Sequence, residues 1–379
     1  MTRVLIPYFV AGFGHLSLAR AIEGALRERR PGLDIRLLDL GVGAQSEALE
    51  RLYVRSWQKL LALPRAVQSV LYFLNALFPW GFKLANGFAI RRALPVTRAF
   101  LREERPDAIM STHWGCCHVL DRARRAEGLD TPLYFVYGEL AGAFPPILCG
   151  ADVYFCPTDD AGEALVRIGV PRDRVVRIGL VVQPELRGDP PPQREARRAL
   201  GLREDRFTVL FSLGGEGIGR CVPFLDHYSC RGQGAQILVL AGRNDRLLQA
   251  LKARYPQRPD RALIVPLGFL PSLIMPYAAA DILAGKCGTA FAMEAIAARK
   301  MLLINNLGAP NEADNRDYLV RHGFAAYTKR PVDFTAAVDR IAAETASGAA
   351  ARESSSEIAN ANGAADIASY LLDRLEERE

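Results

Sequence analysis

The chain has 379 residues, of which 50% are hydrophobic, and its 48 lysines and arginines exceed its 42 acidic residues, giving a formal net charge of +6. This length predicts two domains of roughly 150 to 200 residues each, and the apolar content excludes an intrinsically disordered chain. The seven cysteines are odd in number and lack zinc-like spacing, so we expect reduced thiols. The amino terminus has one basic residue and no small-residue cleavage site, which indicates a first strand of a cytoplasmic protein and not a signal peptide.

The first half of the chain alternates apolar strands with helical stretches. A strand over Arg3–Val10 is followed by a glycine-bearing turn and by apolar positions at helical spacing. Further strands are predicted over Asp34–Leu40, Asp107–Ser111 and Leu133–Tyr137. Strands separated by helices are typical of a parallel sheet. Residues 1–182 therefore predict one Rossmann-like domain.

The second half repeats this alternation after a segment rich in proline and charge, 183–198, which we interpret as a linker. Residues 199–350 predict a second Rossmann-like domain, and the tail 351–379 predicts a C-terminal helix over Glu357–Leu375 that packs back on the first domain. The strands predicted in this half are Phe207–Leu213, Gln236–Ala241, Ala262–Pro266, Ala280–Ala284 and Met301–Asn305.

Two glycine-bearing segments follow strands and precede helices. The first is LGGEGIGR, Leu213 to Arg220, whose glycines allow the backbone to approach a diphosphate while a helix amino terminus faces it. Taken alone, such a turn also occurs without a ligand. The second is GKCGTAFAMEA, Gly285 to Ala295, in which Glu294 can accept hydrogen bonds from ribose hydroxyls. A solvated helix glutamate is the alternative interpretation of Glu294.

The order of the motifs favours a ligand-binding interpretation. LGGEGIGR is followed by AGRND, by a Gly-Phe pair at Gly268, by GKCG with Glu294 and by NEADN. This series resembles glycosyltransferase family 28, in particular the monogalactosyldiacylglycerol synthases and the bacterial processive diacylglycerol glucosyltransferases. The resemblance covers nearly the whole chain. The nucleotide-sugar site that it implies comprises Gly214, Gly215, Glu216, Gly217, Arg243, Asn244, Phe269, Gly288, Glu294, Asn311, Glu312 and Asn315.

The resemblance implies an α/β GT-B fold, in which two Rossmann-like domains with parallel sheets face a central cleft. It also implies that a hexose moves from a UDP-hexose to a membrane lipid, diacylglycerol, with inversion at the anomeric carbon. The UDP-sugar is then a substrate, and no cofactor is needed. By the same resemblance Phe269 lies near the uracil, Glu294 near the ribose, and Asn311, Glu312 and Asn315 near the hexose.

The amino-terminal half carries two candidates for the catalytic base. Residues 12–15, Gly-Phe-Gly-His, stand where the family has a GGGH-like loop, which makes His15 the first candidate, although a lone loop histidine is otherwise a solvated one. A histidine whose pKa lies near neutrality can take a proton from an acceptor hydroxyl. Glu139, just after the strand that ends at Tyr137, is the second candidate. His113 and His118 are expected to have structural or acceptor-positioning roles.

An aromatic and basic stretch, Tyr53 to Ile90, predicts contact with a membrane surface. Its longest apolar run is shorter than the about 20 residues that span a bilayer. Rings at headgroup depth beside basic side chains suit an interfacial segment on anionic lipid, and a pair of core helices with a solvated basic face is the alternative. The resemblance to the synthases implies membrane and lipid contact in this region, so we expect a cytoplasmic protein on the inner face of the membrane. The candidate membrane and acceptor contacts are Trp57, Arg65, Phe73, Phe78, Trp80 and Lys83.

Some features narrow the interpretation and others leave alternatives open. No Asp-x-Asp pair occurs in the chain, which predicts that no metal is required, and no nucleic-acid motif accompanies the basic residues.

Phe291 replaces a family threonine, and residues 309–311 replace its Pro-Gly-Gln, at positions that concern sugar and acceptor contacts. A UDP-N-acetylglucosamine 2-epimerase of the same fold and a non-catalytic nucleotide-sugar-binding protein are the alternatives.

Overall fold

A computed structural model of the chain describes residues 2–9, 13–43, 46–55, 79–231, 234–256, 263–308, 312–347 and 362–377, together with positions 59, 63, 67, 70, 71 and 360. The chain divides into two compact units. The first unit comprises Met1–Pro184, Ala309–Asp314 and Asn360–Glu379, and the second comprises Glu185–Gly308 and Asn315–Ala359.

The first unit is built on a six-stranded sheet in which all hydrogen-bonded neighbours are parallel, in the order β2-β1-β3-β4-β5-β6. The chain passes from β1 outward to β2 and then returns to place β3 on the other side of β1. The strand order therefore reverses between β1 and β3, and ligands of open α/β sheets bind outside the carboxyl ends of the strands at such a point. The strands are β1 Arg3–Tyr8, β2 Asp34–Asp39, β3 Ala108–Ser111, β4 Leu133–Val136, β5 Val153–Cys156 and β6 Val175–Arg177.

Helices cover this sheet because its central strands are apolar on both faces, as is usual for parallel sheets. Val4, Leu5 and Ile6 of β1, for example, are fully buried. The helices are α1 Phe13–Arg29, α2 Leu40–Gly43, α3 Glu47–Leu49, a π-helical segment Glu50–Arg55, α4 Pro79–Glu104, α5 Trp114–Ala126 and α6 Asp159–Arg167, with 3-10 turns at Pro145–Ile147, Arg172–Arg174 and Pro184–Leu186.

The second unit contains a second six-stranded parallel sheet, in the order β12-β11-β10-β7-β8-β9, and its strand order reverses between β7 and β10. Its strands are β7 Thr208–Ser212, β8 Gln236–Leu240, β9 Ile264–Leu267, β10 Ile282–Lys286, β11 Leu302–Asn306 and β12 Ala325–Tyr327. The remaining helices are α7 Gln193–Ala199, α8 Val222–Arg231, α9 Asp245–Arg254, α10 Ile274–Ala279, α11 Thr289–Ala297, α12 Glu312–Arg321, α13 Pro331–Ala346 and α14 Gly363–Glu376. The prediction of two α/β units with parallel sheets is confirmed.

The segment interpreted as a linker, 183–198, differs from the structure in its last part. Helix α7 begins at Gln193, directly after Pro192. The Arg197 side chain is buried and forms a 2.6 Å ion pair with Asp281. Residues 193–198 are therefore an integral part of the second unit.

The C-terminal helix α14 belongs to the first unit and packs against α1. Its buried residues Ala364, Ile367, Ala368, Leu371 and Leu375 recur at a spacing of three or four, which is one apolar face of a helix. The helix is therefore more clearly amphipathic than its alanine-rich sequence indicated.

Candidate functional site

The point where strand order reverses in the first unit brings two histidines together. His15 lies on the first turn of α1, just after β1, and His113 follows β3. Their ring centroids are 4.6 Å apart. The carboxyl edge of the first sheet therefore carries the leading sequence-predicted base at the position where α/β folds hold ligands.

Hydrogen bonds define which nitrogen of His15 carries the proton. His15 Nδ1 lies 2.7 Å from the carbonyl oxygen of Thr112, and the Thr112 hydroxyl donates to the carbonyl oxygen of His15 at 3.0 Å. Because a carbonyl oxygen can only accept, Nδ1 is the protonated nitrogen and Nε2 has a lone pair. Burial lowers the pKa of His15 below its usual value, so the ring is neutral at pH 7. The ring thus has the protonation state that a general base needs.

His113 has a structural role in the same cluster. Its Nδ1 accepts a hydrogen bond from the backbone nitrogen of Gly115 at 3.0 Å and so caps the amino terminus of α5. Its ring stacks on Trp114 and meets Phe9 edge-on. Burial, followed by the nearby rings of His15 and His118, holds the pKa of His113 well below its usual value. The capping hydrogen bond gives His113 a structural contact, and an acceptor-positioning role stays a prediction.

We expect the first unit to lose stability as the pH falls below the unfolded histidine pKa of about 6.5. The folded chain holds His113 neutral, so the unfolded chain binds more protons below that pH. The free energy of unfolding then falls by about 1.4 kcal/mol per pH unit for each such histidine. All three tryptophans lie before residue 185, so tryptophan fluorescence follows this unit in urea titrations at pH 7.5, 6.5 and 5.5.

The matched variant for this measurement is His113→Asn, whose amide oxygen still accepts from Gly115 but does not titrate. The free energy of unfolding of this variant should depend less steeply on pH, by the equivalent of one proton. An unchanged dependence would mean that His113 is charged in the folded protein.

Glu139, the second candidate base, lies in the loop that follows β4. Hydrogen bonds hold this loop: the Tyr137 hydroxyl donates to the carbonyl oxygen of Gly142 at 2.6 Å, and the Thr158 hydroxyl donates to that of Leu140. Glu139 is partly exposed. His15 follows β1, His113 follows β3 and Glu139 follows β4. Because β4 neighbours β3 and not β1, the strand before Glu139 is one position farther from β1 than the strand before His113. The catalytic roles of both candidates stay predictions.

In the second unit, two of the sequence motifs form one interlocked pair of loops. Gly217 has a φ of 63° and is buried, and a Cβ there would lie 2.0 Å from the carbonyl oxygen of Ala241. The backbone nitrogen of Arg243 donates to the carbonyl oxygen of Gly215 at 2.8 Å, and the Asn244 amide donates to that of Gly217 at 3.3 Å. Close loop packing is therefore a sufficient reason for glycine at position 217, whatever this loop binds.

Gly214 lies in more open surroundings. Its φ is 71°, and the nearest atom to a Cβ placed there is Cε of Lys286, at 3.8 Å. Lys286 is the last residue of β10, the strand beside β7 where the order of this sheet reverses. The structure thus adds a cation next to the glycine loop that was not among the predicted site residues, although it stands within the GKCG motif.

The structure also brings Arg243 and Phe269 together, at the carboxyl ends of β8 and β9. The guanidinium carbon of Arg243 lies 4.4 Å from the centroid of the Phe269 ring. Phe269 is 40% exposed. An exposed aromatic ring beside a guanidinium is a flat surface of the kind on which planar rings stack.

Glu294 is not the solvated surface residue of the alternative interpretation. It is 7% exposed, and its Oε2 accepts a hydrogen bond of 2.6 Å from the Tyr277 hydroxyl. Burial, and then the neighbouring carboxylate, raises the pKa of Tyr277 well above its usual value, so this hydroxyl remains a donor. Tyr277 therefore anchors one oxygen of Glu294 from within the unit. The ring of Phe291 lies near Tyr277, with centroids 6.3 Å apart.

Glu312 and Asn315 lie in the first turn of α12, and both are buried. Gly288 is the residue that precedes α11. Glu216 is exposed on the glycine loop. The roles of these residues toward a sugar stay predictions, and Asn311 lies outside the described residues.

The described residues include little of the predicted membrane-contact segment. Trp57, Arg65, Phe73 and Phe78 lie outside them, whereas Trp80 and Lys83 belong to α4 but have no described side chain. The described part of α4 presents large apolar residues to the surface, of which Leu84 is 67% exposed and Phe88 is 64% exposed. Within the described ranges, no helix has the length and apolar character needed to cross a membrane. Nor do these ranges contain a cluster of three or more His, Cys, Asp or Glu side chains that could hold a metal ion.

Comparison with solved structures defines the class of fold. HepE from Anabaena in complex with UDP-glucose superposes with a TM-score of 0.53 and 15% identity, over 100% of this chain and 99% of that one. The UDP-GlcNAc 2-epimerase from Neisseria meningitidis bound to UDP-GlcNAc gives a TM-score of 0.56 and 12% identity, over 98% and 100% of the two chains. At these identities the likeness shows the fold alone, and that fold is GT-B, as predicted.

Comparison with curated sequences confirms the resemblance inferred from the motifs. A probable chloroplastic monogalactosyldiacylglycerol synthase from Glycine max is 30% identical over 243 residues, which are 62% of this chain and 45% of the synthase. A processive diacylglycerol beta-glucosyltransferase from Bacillus cereus is 24% identical over 331 residues, which are 85% of this chain and 81% of that enzyme. The chain spans less than half the length of the plant synthase. No protein-family model matches the chain.

Proposed function

We propose that the chain is an inverting glycosyltransferase that moves a hexose from a UDP-hexose to diacylglycerol at a membrane surface. The observation that carries this proposal is the state of His15, which has an unprotonated Nε2 at the point where the first sheet reverses its strand order. The names of the sequence relatives, which are lipid glycosyltransferases, support the same conclusion.

The proposed reaction is a single displacement. His15 Nε2 takes the proton of the lipid hydroxyl, whose oxygen attacks the anomeric carbon as the bond from that carbon to the UDP oxygen breaks. Attack opposite the departing UDP inverts the anomeric configuration. The imidazolium formed transiently is costly in a site that lowers the pKa of His15, so His15 returns its proton to solvent rapidly.

The second unit is proposed to bind the donor. The loop that contains Gly214 and Gly217 lies beside Lys286, and the exposed Phe269 offers a stacking surface for uracil. Glu294, held by Tyr277, is proposed to accept from the ribose hydroxyls. Backbone amides and side-chain cations then stabilise the departing diphosphate without a metal.

The lipid acceptor is proposed to reach the protein from an anionic membrane surface. Exposed Leu84 and Phe88 on α4 lie beside the exposed Arg91 and Arg92, and the Arg92 guanidinium lies 5.8 Å from the Phe88 ring centroid. Apolar side chains interleaved with arginines suit the headgroup region of a bilayer.

The proposal is tested by UDP release from UDP-galactose and from UDP-glucose, with vesicles of phosphatidylglycerol that contain or lack diacylglycerol. We expect UDP release that requires diacylglycerol and is faster with one of the two donors. Equal release with and without diacylglycerol would contradict a lipid acceptor, and conversion of UDP-N-acetylglucosamine to its 2-epimer would favour the epimerase alternative.

A prediction about how the protein binds the uracil of the donor follows from the exposed ring of Phe269. Phe269→Ala should weaken the binding of UDP and of uridine by a similar factor, about 5- to 100-fold, because stacking on an aromatic ring contributes about 1–3 kcal/mol per base. Isothermal titration measures both affinities. The control is Phe88→Ala, which removes another exposed phenylalanine near an arginine, in the first unit. If both variants bind uridine like the native protein, Phe269 does not contact the base.

A further inference from the structure

The strands β10 and β11 deviate from regular pairing where they reach the carboxyl edge of the second sheet. Gly285 pairs with Ile304 and Lys286 pairs with Asn306, so that Asn305 is the extra residue of a β-bulge. On its other side Gly285 allows β10 to approach β7 closely, since a Cβ on it would lie 2.6 Å from the carbonyl oxygen of Ser212 in β7. Bulges next to ligand sites redirect side chains, and this one lies beside the reversal of strand order.

Asn305 carries a buried polar group that the described part of the protein leaves unsatisfied. The residue is 7% exposed, and its Nδ2 is buried and has no hydrogen-bond partner within the described part of the chain. Buried amides of this kind are rare because each unmade hydrogen bond is costly. A ligand that offers oxygen acceptors at this edge of the sheet would satisfy the amide.

Side chains from the same two strand ends reach the glycine loop at two places. Cε of Lys286 lies 3.8 Å from the position of a Cβ on Gly214, and Nδ2 of Asn306 lies 3.7 Å from that of a Cβ on Gly219. Helix α11 begins three residues after Lys286, and its first turn contains no acidic residue. Backbone amides, a primary ammonium and amide side chains are thus gathered at one edge, which is the chemistry that binds phosphate groups.

We propose that Lys286 and Asn305 bind the diphosphate of the nucleotide donor. This inference rests on the proposed function, and it adds two residues that the motif comparison did not assign. As the bond from the anomeric carbon to the diphosphate oxygen breaks, negative charge increases on that oxygen. The Lys286 ammonium and the Asn305 amide stabilise this charge in the place that a divalent metal occupies in other transferases.

The test compares the binding of UDP, uridine and inorganic pyrophosphate by isothermal titration. For Lys286→Gln we expect UDP and pyrophosphate to bind about 10- to 100-fold more weakly and uridine to bind within a factor of two of the native protein, since hydrogen bonds to charged groups have this strength. Lys286→Arg should recover part of the loss. The control is Lys252→Gln, which removes an exposed lysine of α9.

Asn305→Leu provides a second readout that a merely structural residue would not give. We expect UDP to bind about 10-fold more weakly, while the melting temperature of the ligand-free protein is unchanged or higher, because the variant removes a buried amide without a protein partner. A lower melting temperature with unchanged UDP affinity would overturn the assignment of Asn305.

The outcomes separate this inference from the proposed function. Native binding of UDP with no effect of either substitution overturns the inference and leaves the proposed function intact. Pyrophosphate binding that depends on Lys286, without any binding of uridine or UDP, supports the anion site and contradicts the proposed function. If the native protein binds neither UDP nor pyrophosphate, both are wrong.

Discussion

Replacing His15 by alanine should lower the rate of glycolipid formation by about 100- to 10,000-fold, which is the range that a general base contributes. UDP should bind as it does to the native protein, because the donor contacts that we propose lie in the second unit. The loss of the hydrogen bond to the Thr112 carbonyl should cost about 1 kcal/mol of stability, which leaves the protein folded. Labelled hexose in the lipid fraction measures the rate, and isothermal titration measures UDP affinity.

Two further variants separate the candidates for the base. His322→Ala removes an exposed histidine of the second unit and should leave the rate unchanged. Glu139→Gln should reduce the rate less than His15→Ala. The opposite order would make Glu139 the base, and equal activity of all three variants would remove both residues from the chemistry.

The pH dependence of kcat/KM is an independent test of His15 as the catalytic base. Because burial lowers its pKa below about 6.5, the neutral form of the base already predominates at pH 7. We therefore expect kcat/KM to be flat between pH 7 and 8 and to fall only below pH 6.5. A rise of kcat/KM through pH 8 would point to a different base.

Gly217→Ala should destabilise the second unit by about 2–5 kcal/mol and weaken UDP binding more than 10-fold. The left-handed backbone costs an alanine about 1–2 kcal/mol. The new methyl group would lie 2.0 Å from the Ala241 carbonyl oxygen and 2.6 Å from Cβ of Asn244, and such overpacking adds about 1–3 kcal/mol. The two interlocked loops would then have to separate. Urea unfolding followed by circular dichroism measures the stability.

Two other glycines with left-handed φ angles serve as matched controls. Gly201 has a φ of 71° and no atom within 4 Å of a Cβ, so Gly201→Ala should lose only the backbone contribution and should bind UDP normally. Gly214→Ala has the same φ and little steric conflict, so it should lose UDP affinity with a similarly small loss of stability. If Gly217→Ala is no less stable than Gly201→Ala, the loops do not require the close packing described.

The architecture could be predicted from the sequence because the strands of parallel sheets are apolar runs separated by helices. The predicted strand Arg3–Val10, for example, contains β1 from Arg3 to Tyr8. Strands β6 and β12 were not predicted because they have only three residues each and are largely not buried. Strand β5 was not predicted either, although it is as long as β3 and β4. The short apolar run Val153–Cys156, between Asp152 and Pro157, was a signal that could have identified β5.

The site was predictable where glycines and polar residues follow strands, and less so where contacts join distant residues. The motif order placed Gly217 and Asn244 in separate motifs, but only the structure shows that these loops interlock. The partner of Glu294 is Tyr277, 17 residues earlier, and no spacing rule connects them. Lys286 and Asn305 acquire their significance from the bulge, which depends on strand register and not on local sequence.

The central claim is that this chain transfers a hexose to a lipid, and the chemical identity of the product tests it most directly. The native protein, a UDP-hexose labelled in the sugar and vesicles of phosphatidylglycerol with diacylglycerol should give label that extracts into chloroform as hexosyl-diacylglycerol. Proton NMR should show the β-anomer, inverted from the α-configured donor. Label that stays in the aqueous phase while the protein binds UDP would contradict the account and favour a nucleotide-sugar-binding protein without transferase activity.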